Sequence, residues 1–192
     1  MTASPDAPPA AAPRTGPPAP APGYRRWPAL AAAAWVGTFC VVTGSVVTWV
    51  LLSGGSLAEN GVVLLAVGLR ALTVLMALAA VQRWGRLVPG WLLLAGLWGA
   101  AAAQLAYPVA ETVVKSLILT GLIDPLDKGI SNMSGEGWFN FGATWLVWGV
   151  PGVLFALTAL GYGRRVAARG RWVALGAVGG VVLLGGLGLL IG

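Results

Sequence analysis

Five apolar stretches, at roughly 28–52, 61–81, 90–109, 138–161 and 172–191, each reach about the 20 residues that an α-helix needs to cross hydrocarbon. In lipid a segment has to satisfy its own backbone N–H and C=O groups, so a continuously apolar run of that length forms a helix, whereas a barrel strand would alternate. The expected fold class is therefore all-α, a polytopic membrane bundle of about five transmembrane helices. Composition agrees: 57% of the residues are hydrophobic and 9% charged, with a mean hydropathy of +0.81, more apolar side chain than a water-soluble core can absorb.

Residues 1–26 read differently. Pro and Ala dominate them, a composition that buries too little surface to offset the entropy of ordering, so a disordered, Pro/Ala-rich cytoplasmic tail is expected ahead of a bundle over 27–192. The first apolar run is too long for the ~7–15 residues of a signal-peptide core. Phe39, immediately before Cys40, is too bulky for lipoprotein processing there.

Orientation follows from Lys and Arg. Arg14, Arg25 and Arg26 precede the first span, Arg83 and Arg86 lie in the second connection, and Arg164, Arg165, Arg169 and Arg171 lie in the fourth. The alternate faces carry Lys115 and Lys128 among the acids Glu59, Glu111, Asp124, Asp127 and Glu136. This asymmetry predicts an N-in, C-out protein of a bacterial plasma membrane, with an outer loop over 110–137. Trp27, Trp84, Trp91 and Trp172 fall at the expected inner interface, Trp49 and Trp138 at the outer one, and the remaining tryptophans are expected to serve in packing. With the basic residues at the ends of apolar segments, the net charge of +6 sets topology, and no nucleic-acid partner is expected.

Chemistry is constrained by what is scarce. The chain has one cysteine and no histidine, so an intrachain disulfide, histidine-held haem, the common zinc and copper sites and a histidine base are excluded. No phosphate loop, nucleophile elbow or metal-ligand spacing occurs, and no catalytic residue, cofactor or metal is predicted. Asp124, Asp127 and Glu136 of the outer loop lack EF-hand spacing and read as a solvated acidic loop.

Arg70 is the charge set deepest in an expected span, about 14 Å past Gly61 at the ~1.5 Å helical rise. A charge at that depth is costly and marks a functional-site hypothesis, set against snorkelling or a packing pair. Gln104, Tyr107 and Glu111 share one face of the third helix through spacings of three and four, and Lys115 extends that face. Glu111 and Lys115 can also pair with each other, which would remove Glu111 as a partner for Arg70. With Asn140 and Thr144 of the fourth span, these residues form a candidate intramembrane polar cluster open to the outside. Thr112 to Ile123 is expected to lie on the membrane surface or to prolong the third helix beyond Pro108.

Small residues predict close helix approach. Gly96 in the third span and Gly176 and Gly180 in the last are the candidate packing positions, within one bundle or in a homo-oligomer. Gly149-Val150-Pro151-Gly152 predicts a kink in the fourth.

The stretch from Arg83 to Trp91, the Ala/Gly-rich third span and the run Gly137-Trp138-Phe139-Asn140-Phe141-Gly142 resemble small membrane proteins of unknown function from actinomycetes. That resemblance implies a membrane location and no activity. The expected role is a non-enzymatic accessory or partner subunit of a membrane complex, in contact with lipid and a possible membrane-protein partner. The alternatives are a small oligomeric transporter or channel with an outward vestibule at Arg70, and a lipid-acting membrane enzyme.

Overall fold

The computed structural model describes residues 25–126, 128–166 and 170–191. Almost all of the expected tail lies outside these. Six helices run through the described residues: α1 (Trp27–Leu52), α2 (Leu57–Val81), α3 (Gly90–Leu119), α4 (Gly135–Thr144), α5 (Val150–Arg165) and α6 (Gly170–Ile191). A π-helical stretch, Trp145–Gly149, joins α4 to α5 into one apolar rod, so the six helices make five rods. Four of the rods, α1, α2, α3 and the joined α4–α5, are long and apolar enough to cross a membrane, and α6, 22 residues from Gly170 to Ile191, is apolar as well. The architecture is an all-helical bundle of the multi-pass membrane type.

Local chemistry sets the helix ends. α1 stops where Gly54 takes φ +96°, with Gly54 N–H donating to the Leu51 carbonyl and Gly55 N–H to the Val50 carbonyl. α3 stops in the same way at Gly121, φ +72°, whose N–H donates to Ile118 while that of Leu122 donates to Leu117. Both are Schellman closures, which need a left-handed residue that glycine adopts without a Cβ clash. α4 starts at Ser134, whose hydroxyl accepts from the Gly137 N–H at 3.2 Å.

α3 is longer than the expected 90–109 span, because Pro108 is accommodated inside it and the helix runs on to Leu119. Proline cannot donate to the carbonyl four residues back, that of Gln104, and the ring crowds the preceding turn. Packing offsets this cost, since Pro108 is among the most fully buried side chains. Just before Pro151, where the sequence predicts a kink, the helix widens into the π stretch, with Gly149 closed against the Trp145 ring.

The core joins α1, α2, α3 and α5 through Ala32, Val36, Ala77, Ala80, Leu93, Leu97, Ala101, Phe155 and Ala159. Alanine dominates because, against lipid, helix association depends on close packing and backbone approach rather than on expelling water. Bulky residues such as Val41, Val46, Leu75, Val178 and Val182 point outward instead. α6 packs chiefly on α3. The two run parallel: a Cβ at Gly176 would overlap the Ala95 backbone, and one at Gly180 the Gly99 backbone. α2 lies against another flank of α3, where Gly96 abuts the Met76 thioether. Gly96, Gly176 and Gly180 are thus close-approach positions between helices of one chain.

Candidate functional site

Between α2 and α6 the bundle leaves a groove of about 390 Å³ whose floor is α3. Ala95, Gly96, Gly99, Ala100 and Ala103 form that floor, and Leu72, Met76, Leu175 and Leu183 stand on the walls. The floor is low because these residues carry a methyl group or nothing. Polar atoms enter from Arg70, Gln104, Thr73 and Trp148, and Arg70 is the charged residue of the lining.

Arg70 is 8% exposed. Its guanidinium carbon lies 4.2 Å from the centroid of the Phe39 ring and 4.0 Å from that of Trp148. Such contacts stabilise a desolvated cation by roughly 0.5–2 kcal/mol each, but they satisfy no N–H. Among the described residues no carboxylate lies within ion-pair distance of Arg70, and its Nη2 has no hydrogen-bond partner. Gln104, 5% exposed, likewise leaves both Nε2 and Oε1 without a partner. Buried polar atoms normally find partners, and these three lack them on two residues that line one cavity.

The expected polar cluster divides in space. Arg70 and Gln104 meet at the groove. Tyr107 is 49% exposed on the outside of α3 and Asn140 is exposed on α4; neither they nor Thr144 lines the groove. Glu111 belongs elsewhere: its Oε1 lies 3.8 Å from Nζ of Lys115, and both side chains are almost fully buried.

Lys115 pairs with Glu111 as their i,i+4 spacing allowed, and the rest of its surroundings come from the tertiary fold. The loop after α3 folds back over it. Lys115 donates to the Asn132 backbone carbonyl and sits 5.1 Å from the Trp138 centroid and 5.9 Å from that of Phe141. The Ser131 hydroxyl bonds with the Leu126 and Lys128 carbonyls at 2.8 Å each, and Trp145 Nε1 donates to the Thr112 hydroxyl at 3.0 Å. This second polar cluster therefore clasps the loop and the start of α4 onto the end of α3. Among the described residues, no three of the acids and the thiol gather as a metal-binding set.

Phe39 and Trp148 are the site residues that the sequence reading missed. A signal existed for Phe39: α1 and α2 form a hairpin, and Phe39 and Arg70 each lie near the middle of their helix. Trp148 is one of the deep tryptophans expected to serve in packing; it does pack, and what it packs against is the cation.

No protein family, curated protein or solved structure matches the chain.

Proposed function

We propose that the chain is a non-enzymatic, multi-pass protein of a bacterial plasma membrane that binds a monoanion at Arg70, as a small carrier or channel acting in an oligomer. The observation behind this reading is a mid-helix arginine with no carboxylate within ion-pair distance among the described residues, lining a groove that also holds an unpartnered Gln104. An unpaired cation in an apolar slot favours any anion that reaches it, and sites near the middle of a membrane suit transport. Arg70 is the charged residue of the lining, so the groove offers a single positive charge. Five rods are few for a carrier acting alone, hence the oligomer.

Binding of an anion to the folded protein raises its stability by about 2.7 kcal/mol at 100 times the dissociation constant. A screen of monovalent organic and inorganic anions on the purified protein is expected to show such a rise, and Arg70→Gln is expected to abolish it. An Arg70→Gln protein that folds and keeps every anion response and every flux of the wild type would defeat the proposal.

The accessory-subunit reading draws on the side opening of the same groove, where an acid on a partner helix would meet Arg70. Purification in mild detergent separates the two: recovery of a heteromeric complex that depends on Arg70 favours the subunit, and anion-responsive protein free of other chains favours the carrier.

A further inference from the structure

We infer that the ligand is a single-chain amphiphile with a carboxylate head, held with its head at Arg70 and Gln104 and its tail along the floor of α3. This rests on the anion-binding reading above and adds the class of ligand.

The groove is polarised along its length. Gly96 against Met76 marks one end, and Gly176 against Ala95 brings α6 to the same level. Gln104 lies about 12 Å past Gly96 along α3 at the ~1.5 Å rise per residue. Arg70, Trp148 and Gln104 belong to that far end, while the near end is lined by Ala95, Gly96, Met76 and Leu175, with no charged side chain. A small inorganic anion would use only the far end. An apolar chain fills the remainder, and a mostly apolar slot with a few polar groups at one end is the usual form of a site for such molecules.

The head is a monoanion because Arg70 is the charged residue of the lining, and Gln104, which lines the same end of the groove, has an unpartnered amide N–H. Two donors of this kind suit the two oxygens of a carboxylate; a doubly charged phosphate would be left with an unmatched charge in apolar surroundings. One chain suits the space, about 390 Å³ between α2 and α6 over a floor of Gly and Ala that ends at Gln104. The tail gains little by leaving lipid for an equally apolar groove, so selectivity resides in the head and in the width of the slot.

Gly179 provides the discriminating variant. It lines the groove, and a Cβ there meets nothing within 4 Å, so Gly179→Leu places a side chain in the tail path without disturbing a helix contact. The probe is palmitate carrying a photoreactive group at mid-chain, added to the full-length protein in lipid nanodiscs. Labelled residues are read by mass spectrometry. Label is expected on the walls at Leu72 and Leu175, on the tail side of the head. It should fall at least about tenfold, a free-energy difference near 1.4 kcal/mol, with excess palmitate, in Gly179→Leu and in Arg70→Gln. Arg70→Lys should retain most of it, and hexadecyltrimethylammonium should not compete. If acetate competes as well as palmitate and Gly179→Leu has no effect, the site takes small anions: the proposed function survives and the amphiphile does not. If label spreads over outward residues such as Val41 and Val182, and neither Arg70→Gln nor any anion changes it, both fall. Should Arg70→Gln fail to fold, the wild-type competitions and Gly179→Leu still decide the outcome.

Discussion

Arg70 and Lys115 are both buried cations on apolar helices, and their surroundings assign them opposite roles. Lys115 has an acid, a backbone carbonyl and two rings, so little is left for it to bind. Removing one partner of a buried pair leaves the other uncompensated, at a cost of roughly 3–5 kcal/mol, whereas replacing both by apolar residues is often neutral. Lys115→Met and Glu111→Leu are each expected to lower stability by that order, and the double variant to recover most of the loss, as followed by thermal unfolding in detergent. Additive losses would show that the two side chains act independently. Arg70 has rings but no acid, and Arg70→Met removes an unmatched charge while keeping an apolar body between Phe39 and Trp148. Its melting midpoint should stay within about 1 kcal/mol of the wild type or rise, even as anion binding disappears.

At the scale of elements, α6 is the most separable part. It packs chiefly on α3, and its approach depends on two glycines set over the Ala95 and Gly99 backbones. Side chains there meet backbone, which cannot rotate away. Gly176→Leu is expected to displace α6 and open one wall of the groove, at a cost of about 1–3 kcal/mol from overpacking. Gly185→Leu is the control, since a Cβ at that position meets nothing within 4 Å. Thermal unfolding of the two variants side by side tests this; equal melting of both would mean that the α3–α6 contact carries no weight. At the cytoplasm-facing end expected from the sequence, Trp91 and Trp172 lie 4.9 Å apart, with Arg171 over the Trp172 ring at 4.6 Å, and hold the same two helices together.

For the whole molecule, the proposed orientation makes one sharp claim. On the charge asymmetry, the connections bearing Arg83 with Arg86, and Arg164 with Arg165, are expected in the cytoplasm, and the loop that Lys115 clasps outside. Reporter fusions after Arg86 and after Arg165 are expected to be active only as cytoplasmic reporters, and a fusion near Gly121 only as an exported one. The reverse pattern would place the clasped loop inside and require a different account of the charge asymmetry.

The sequence alone determined the parts governed by a segment's own composition. Long apolar runs have to be helices in lipid, and Gly176 and Gly180 have to permit close approach wherever they meet another backbone. The length of α3 past Pro108 was left open between two outcomes, since the penalty of an interior proline is decided by how it packs. The site was legible only as a depth: Arg70 stood out because a charge in mid-span is costly, and Gln104 because it shares a polar face. Which groups met was settled by the tertiary structure. Glu111 sits with Lys115, Tyr107 and Asn140 face away from the groove, and Phe39 and Trp148 reach the guanidinium through packing between helices distant in sequence. The groove itself exists because α2 and α6 rest on two flanks of α3, and periodicity within one helix cannot specify that arrangement between three.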